Sequence, residues 1–309
     1  MKINPKVSVV IPNYNYARFI GEAIESVLNQ TYLDFELIIV DNNSTDNTEE
    51  VVKKYLNDER VQFVKNVRNI GMVPNFNKCL ELAKGEYIKF LLSDDIFHPD
   101  LLTDFVNILD THPGVCLVTS DSESFGVEQK QRTSPYKHLQ KGEFIIRESI
   151  KDGKGNFIGE PTTVMFRASA LKVGNFNEAY SCLNDLDFWL RQLTTGDCYF
   201  IPKTLSYFRV HDEQASYVRN YANWFDEYNF YKRLKTVNDY KVSFEDLNID
   251  KMIKKTSLKS ASAMYRLLPD LENKKNRRMF MRALKIALKE KVVMSSLAIQ
   301  FSKKKKSYQ

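Results

Sequence analysis

Long hydrophobic runs are missing from this sequence of 309 residues. No stretch approaches the roughly 18 uncharged apolar residues of a transmembrane helix. The apolar run at residues 7–11 stops at Pro12, which is too early for a signal peptide. The four cysteines stand far apart without a C-x-x-C pair, so we expect reduced thiols in the core. These absences favour a cytoplasmic protein.

Two glycine-rich phosphate-binding motifs, G-x-x-x-x-G-K-[ST] and G-x-G-x-x-G, are also missing. No Ser or Cys stands in a pattern with His that is typical of a nucleophile. Kinases, P-loop NTPases and dinucleotide dehydrogenases are therefore excluded. A hydrophobic content of 43% and a charged content of 27% are typical of a folded soluble protein. The length allows one large α/β domain with an appendage, or two domains.

Positive charge is concentrated towards the C-terminal end. Residues 251–309 contain 17 Lys and Arg against three acidic residues, whereas residues 1–250 contain 28 against 36. Such asymmetry predicts a tail that contacts an anionic surface, either a membrane or a nucleic acid. Because the excess lies beyond a negatively charged body, we expect no nucleic-acid partner.

Short apolar runs alternate with helical patterns in the first part of the chain. This alternation predicts an α/β fold with a mostly parallel central sheet flanked by helices. Residues 120–141 are polar without a clear period and predict a long loop. After Glu213 the pattern is wholly helical. The expected strands are 7–11, 35–40, 61–64, 87–92, 115–119, 162–166 and 205–210, and the expected helices are 18–29, 48–56, 74–83, 99–109 and 186–193.

Polar clusters follow three of the expected strands, at residues 12–15, 41–46 and 93–95. In an open α/β sheet, ligands bind at the carboxyl ends of the strands. Asp94 and Asp95 repel each other unless a cation or a hydrogen-bonding ligand lies between them, so they are candidates to hold Mn²⁺ or Mg²⁺. The alternative for Asp94 and Asp95 is a strand-to-helix turn with a helix cap, and for Asp41 it is turn chemistry.

Segments 7–15, 30–46 and 85–95 resemble the signature of family 2 glycosyltransferases, and the resemblance extends over residues 6 to about 215. It implies a GT-A fold in a domain of residues 1–215, with a nucleotide-sugar half at 1–120 and an acceptor half at 121–215. Residues 216–309 then form a basic helical extension. The implied activity is metal-dependent, inverting transfer of a sugar from a nucleotide sugar to a glycan or lipid-linked glycan, in polysaccharide synthesis. UDP-sugars are the favoured donors.

The same resemblance implies roles on the donor side. Pro12 and Tyr14 border the base, and Asp41 hydrogen-bonds the base edge. Asp94 reaches the ribose, and Asp95 binds the divalent metal ion. Leu92 departs from the family pattern, since many relatives carry an acidic residue there. A further nucleotide contact is implied for the side chain of Asn69, with a simple turn before a helix as the alternative.

On the acceptor side, the resemblance implies that Asp185 is the catalytic base. Asp185 and Asp187 can also be acids in the first turn of a helix. Trp189 is a candidate to stack on a sugar, or else a core residue. Arg209 and His211 are candidates for diphosphate or metal contacts, although a lone His is often structural.

Two other functions remain open from the sequence: a nucleotidyltransferase on a similar fold, and a non-catalytic peripheral membrane protein. The first would normally need a basic glycine-rich loop, which residues 12–15 do not provide. The second rests on a basic stripe between residues 278 and 289, which predicts either an interfacial helix on the anionic inner face of the membrane or a helix packed on the body. The stripe contains Arg278, Arg282, Lys285 and Lys289, opposite Phe280, Met281, Leu284, Ala287 and Leu288, and Lys303–Lys306 follow it.

Overall fold

The computed structural model describes residues 5–151, 156–212, 220–237, 239–293 and 295–296, without the side chains of residues 220, 221 and 275. The chain divides into two compact units. The first is an α/β unit with described residues 5–150, 156–179 and 184–212. The second, a helical unit, contains residues 180–183 and the described residues from 220 onward.

The α/β unit contains ten described strands and six described α-helices. The strands are β1 (Val7–Asn13), β2 (Phe35–Asp41), β3 (Val61–Lys65), β4 (Tyr87–Phe90), β5 (Ile96–Phe97), β6 (Val115–Gly126), β7 (Lys130–Arg132), β8 (His138–Gln140), β9 (Val164–Arg167) and β10 (Asp197–Val210). The helices are α1 (Ala17–Leu28), α2 (Thr48–Lys53), α3 (Met72–Leu82), α4 (Leu101–Thr111), α5 (Gly142–Ile150) and α6 (Asn184–Gln192), with short 3₁₀ helices at Pro161–Thr163 and Ala168–Val173.

All ten strands belong to one sheet with the order β3-β2-β1-β4-β9-β6-β10-β5, to which β7 adds beside β6 and β8 beside β10. Strands β1 to β4, β6 and β10 run in the same direction, and β9 runs against its neighbours β4 and β6. The expected α/β fold with a mostly parallel sheet is confirmed. The polar segment after residue 120 is not a loop throughout, because β6 extends to Gly126 by pairing with β10.

The inner strands carry no polar face. Every residue of β1 and β2 is buried, which matches their runs of Val and Ile. Their parallel register places Asn13 opposite Asp41, so the polar residues that end the two strands meet at one edge of the sheet. Helix α1 buries Phe19, Ile20 and Ala23 among others, at the spacing of one helix face. The packing of the sheet thereby fixes where the polar turns lie.

Lys89 is a fully buried lysine in β4. Its ammonium donates to the main-chain oxygens of Phe90 at 3.2 Å and Val164 at 3.3 Å, and also to that of Thr162. Burial lowers the pKa of Lys89 well below its usual value, while the nearby carboxyl of Asp95 raises it. Lys89 therefore binds the end of β4 to the 3₁₀ turn at Pro161–Thr163.

The helical unit contains α7 (Asn220–Thr236), α8 (Ile249–Leu267) and α9 (Lys274–Lys289). Helix α8 packs against both others. Asn248 caps α8, since its side chain accepts a hydrogen bond from the N–H of Lys251. Within the described residues, no helix combines the length and the apolar character that crossing a membrane requires.

The faces of α9 differ from the expected division into a basic and an apolar side. Ala283 and Ala287 are fully buried, with Ala287 packed against Ala261 of α8. Met281 and Leu288, in contrast, are 57% and 62% exposed. The helix therefore buries Ala283, Ile286 and Ala287 and leaves two large apolar side chains, Met281 and Leu288, in solvent. Lys303–Lys306 lie outside the described residues.

Replacing Lys89 by Met should destabilise the protein by about 2–5 kcal/mol, because several buried carbonyl oxygens would lose their donor. The measurement is urea unfolding followed by circular dichroism. Lys84→Met, at an exposed position just before the same strand, is the matched control and should stay within about 0.5 kcal/mol of wild type. Equal unfolding midpoints for the two variants would contradict the role given to Lys89.

Candidate functional site

The first part of the site is the edge where β1 and β2 end. Asp41 is 1% exposed, and its carboxylate accepts hydrogen bonds from the Asn13 amide at 2.9 Å and from the main-chain N–H of Ser44 at 2.9 Å. The Ser44 hydroxyl donates to it as well. These contacts fit the turn chemistry considered for Asp41. Its contact with a base stays a prediction.

Pro12, Tyr14 and Asn69 surround this turn. Pro12 is buried and accepts a hydrogen bond from the Ser93 hydroxyl at 2.8 Å, while Tyr14 is 42% exposed. The exposed Asn69 accepts from the Asn42 amide at 3.0 Å and from the N–H of Gly71 at 2.9 Å. Asn69 thus shapes the loop before α3. Tyr14 offers a partly exposed ring at this edge.

Asp94 and His211 form a pair where β10 ends beside the loop after β4. Their atoms Oδ2 and Nε2 lie 3.1 Å apart, with the side chains 12% and 8% exposed. The His211 ring packs on Phe19, with ring centres 4.7 Å apart. Burial raises the pKa of Asp94, and His211 opposes this shift. The structure therefore brings together a carboxylate and an imidazole that are 117 positions apart in the chain.

Asp95 has a different environment. It is fully buried, and its two oxygens accept hydrogen bonds from the N–H of Arg209 at 3.0 Å and from the Thr162 hydroxyl at 2.5 Å. Burial, followed by the neighbouring Asp94, raises its pKa well above the usual value. Both oxygens of Asp95 are engaged inside the protein, whereas the carboxylate of Asp94 faces the His211 ring. The metal contact implied for Asp95 stays a prediction.

Arg209 is held by protein groups. Its Nε donates to the main-chain oxygen of Asp94 at 2.9 Å, and its Nη2 to Glu22 at 2.7 Å. The guanidinium also lies over the rings of Phe19 and Phe125, at 4.9 Å and 4.3 Å from their centres. Arg209 therefore fixes the turn that carries Asp94. A diphosphate contact for Arg209 stays a prediction.

Asp185 lies near the start of α6 and is half-buried. Its carboxyl accepts hydrogen bonds from the Asn156 amide at 3.0 Å and from the N–H of Leu186 at 2.7 Å. Burial raises the pKa of Asp185 to about 7, and the nearby charge of Glu160 also raises it. A carboxyl that titrates near neutral pH has the property required of a general base.

A tight turn at residues 156–160 supports this carboxyl. The Asn156 side chain accepts from the N–H of Gly159 at 3.1 Å, which fixes the amide that faces Asp185. Gly159 has φ of 138°, and a Cβ there would collide with the hydroxyl of Thr163. Only glycine suits this position without strain.

Trp189 is fully buried, and its Nε1 donates to the carbonyl of Gly159 at 3.0 Å. Its indole packs among aromatic rings, including Phe166 and Phe188. Of the two alternatives for Trp189, stacking on a sugar is wrong and the core position is correct, because the ring has no exposed face. Trp189 is a core residue that anchors the turn beside Asp185.

Glu160 is a site residue that the sequence analysis did not identify. Its carboxylate raises the pKa of both Asp95 and Asp185, so it lies within electrostatic reach of both. Arg132 of β7 donates to the Glu160 carboxylate and to the main-chain oxygen of Asn156. The signal for Glu160 was its place in the segment 159–167, which resembles the family's acceptor-side strand, whereas Arg132 lay in the segment expected to be a loop.

Asp187, the other acid of α6, is fully buried and paired with Arg191 at 2.8 Å. Arg191 also donates to the main-chain oxygens of Val173 at 2.9 Å and Asn175 at 2.7 Å. Asp187 therefore orients Arg191, which binds the main chain of the loop at residues 173–175. Of the two acids, only Asp185 is partly open to solvent.

A metal ion would find few protein ligands at this site. In the part of the chain that the structure describes, no three His, Cys, Asp or Glu side chains are grouped as a metal site. Asp94 provides an oxygen donor of the kind that Mn²⁺ and Mg²⁺ prefer, and His211 provides a nitrogen donor, which suits Mn²⁺ better than Mg²⁺; phosphate oxygens and water would supply the remaining ligands.

Comparison with known families identifies the chain. The model for "Glycosyl transferase family 2" matches residues 8–174, which is more than half of the sequence. The chain belongs to this family.

It is 33% identical over 212 residues to a protein of Mycobacterium tuberculosis named MT1568, covering 65% of this chain and 66% of the relative. It is 32% identical over 222 residues to a glycosyltransferase of Rickettsia typhi, covering 69% and 66%. Both matches span just under two thirds of the relatives' length.

Two solved structures have the same fold as this chain. S. aureus TarS 1-349 in complex with UDP-GlcNAc gives a TM-score of 0.58 at 20% identity, covering 92% of this chain and 73% of that one. The mannosyltransferase PcManGT of Pyrobaculum calidifontis, in complex with GDP-Man and Mn²⁺, gives 0.58 at 16% identity, covering 95% and 88%. At these identities the likeness concerns the fold alone.

Proposed function

We propose that this protein is an inverting glycosyltransferase that moves a sugar from a nucleotide sugar to a hydroxyl group of a glycan or a lipid-linked glycan. The observation that carries the proposal is the short segment 156–162, in which the Asn156 amide binds Asp185 at 3.0 Å and the Thr162 hydroxyl binds Asp95 at 2.5 Å. A carboxyl with a raised pKa is thereby placed beside the acidic turn at the carboxyl ends of the strands. Membership of the family supports the reaction class.

A nucleotide-sugar donor is supported by the solved structures with the same fold, TarS with UDP-GlcNAc and PcManGT with GDP-Man and Mn²⁺. We favour UDP-sugars as donors, and a polysaccharide or its lipid-linked precursor as the acceptor. A screen of nucleotide sugars for hydrolysis tests the reaction class. Release of nucleoside diphosphate would support a glycosyltransferase, whereas release of pyrophosphate would indicate a nucleotidyltransferase.

Asp185 acts on the acceptor in this proposal. The acceptor hydroxyl attacks the anomeric carbon as the bond to the diphosphate breaks, and the Asp185 carboxylate receives the hydroxyl proton. One displacement inverts the configuration at the anomeric carbon. Asn156 holds the carboxylate in place and favours its charged form, while Glu160 and burial favour the neutral form. The balance leaves a base that is charged at pH values above about 7.

Asp94 and His211 would hold the divalent ion. Once bound, the ion would neutralise charge on the departing diphosphate. Asp95 contributes by fixing the turn, since its oxygens bind Arg209 and Thr162.

Asp94→Asn should abolish the effect of Mn²⁺ on the binding of UDP, because the metal would lose a charged ligand. Calorimetric titration of UDP with and without Mn²⁺ measures the effect. Glu22→Gln is the control, since this exposed acid also contacts Arg209, and it should keep the metal effect. If Asp94→Asn keeps the effect and Asp95→Asn loses it, Asp95 holds the ion as the sequence predicted.

Asp185→Asn should reduce transfer by about 10²–10⁴-fold and leave UDP binding intact, since the amide keeps the shape and loses the basicity. In wild type, transfer should rise with pH through about 7, where Asp185 loses its proton. Initial rates and UDP titrations measure the two properties. Transfer within a few-fold of wild type would place the base elsewhere.

Asn156→Ala tests whether the Asn156 amide tunes the Asp185 carboxyl or only supports the fold, and the measurement is the pH dependence of the transfer rate. The Asn156 amide lowers the pKa of Asp185, so its removal should move the rise of the rate to higher pH. A purely structural loss would lower the rate at every pH without moving the profile.

We also propose that the protein works in the cytoplasm and binds the inner face of the membrane through α9. Met281 and Leu288 are exposed on this helix beside the exposed Arg278 and Lys285, a pattern typical of an interfacial helix.

Vesicles containing phosphatidylglycerol should bind the protein less as salt rises, and less again after Met281→Ser with Leu288→Ser, because apolar insertion would be lost. Co-sedimentation measures the bound fraction. Leu33→Ser with Val67→Ser, at positions 71% and 99% exposed in the α/β unit, is the matched control. Equal recovery of the two double variants would refute a membrane role for α9.

A further inference from the structure

A half-open cavity of about 520 Å³ lies in the helical unit, lined by one face of α8 and by Trp224 of α7. Residues 251, 255, 258, 262 and 266 recur at three- and four-residue intervals, so they share one face of α8. Trp224 of α7 lies across from this face and is half-buried. The cationic lining residues are Lys251, Lys254, Lys255, Lys259 and Arg266.

The charge in this cavity is not balanced by its lining. No acidic residue is among the described lining residues. Lys259 is paired at 2.8 Å with Glu227, which lies outside the lining. Within the described residues, Lys251, Lys254 and Arg266 make no ion pair with an acid. Cations grouped around a cavity repel one another, so a bound anion would stabilise them.

The cavity also has an apolar wall. The Arg266 guanidinium and the Lys259 ammonium lie 5.2 Å and 5.6 Å from the centre of the Trp224 ring. These contacts orient the cations at the indole, and Leu258 adds an aliphatic surface. The lining therefore suits a ligand with a compact, multiply charged group and an uncharged part.

We propose that this cavity is a binding site for a phosphate group on an otherwise uncharged molecule. A phosphate carries up to two charges and three acceptor oxygens, and lysine and arginine are its usual partners in proteins. A lipid headgroup and a free phosphate ester share this chemistry. The site lies within the helical unit and does not depend on the proposed transfer reaction.

The fluorescence of Trp224 provides a direct test. The chain has two tryptophans, and Trp189 is fully buried, so Trp224 should report on the cavity. The probes are sodium pyrophosphate, and phosphatidylcholine vesicles with or without phosphatidylglycerol, added to the full chain without divalent cations. Sodium sulfate at equal ionic strength separates phosphate binding from salt screening. Trp224→Phe should remove the signal.

A saturable change in emission with pyrophosphate or with phosphatidylglycerol vesicles is expected. Lys254→Glu with Lys255→Glu should weaken it about tenfold or more. Arg278→Glu with Lys285→Glu makes the same charge change on α9 and should leave pyrophosphate binding unchanged. A response to pyrophosphate alone would indicate a free phosphate ester. A response to phosphatidylglycerol vesicles that the Lys254, Lys255 variant loses would indicate a lipid headgroup.

The proposal is overturned if neither probe gives a saturable change, or if the Lys254, Lys255 variant keeps the wild-type affinity for the probe that responds. Circular dichroism checks that the variants fold. If the Lys254, Lys255 variant does not fold, Lys251→Glu with Arg266→Glu replaces it, because both side chains are exposed. The same loss of affinity is then expected, and its absence would refute the site.

Discussion

The buried carboxylate of Asp95 is the contact on which the arrangement of the site depends. It joins three parts of the chain: the turn after β4, the N–H of Arg209 in β10 and the hydroxyl of Thr162 in the 3₁₀ turn before β9. Desolvating a carboxyl is unfavourable, and these two hydrogen bonds offset part of that cost. Any displacement of β10 would leave a buried acceptor without its donor.

Lys89 of β4 holds the same 3₁₀ turn through a second contact. Its ammonium binds the carbonyl of Thr162, while the Thr162 hydroxyl binds Asp95. Lys89 and Asp95 are therefore linked through one residue, Thr162. Removal of either side chain would leave buried polar groups without partners, which is costly. The 3₁₀ turn that directly follows Glu160 is therefore held in one position.

The fold was largely predictable because its signals are local. The Val and Ile runs of β1 and β2, and the polar turns after them, follow directly from short stretches of sequence. The full length of β6 was not predictable, since it depends on pairing with the distant β10. The site followed the same rule. Asp94, Asp185 and His211 stood in recognisable segments, whereas Glu160 and Arg132 become important only through their tertiary contacts.

Asp95 and Asp185 show how one side-chain type obtains two roles. Burial raises the pKa of both, and Glu160 adds to both shifts. Asp95 has no exposed surface, and its oxygens bind the N–H of Arg209 in β10 and the hydroxyl of Thr162 in the 3₁₀ turn, so in this structure the carboxyl holds protein groups together. Asp185 is bound by its own helix and by one amide, and remains partly open to solvent. Access, rather than the pKa shift alone, is the reason that we propose Asp185 as the carboxyl that exchanges a proton with a substrate.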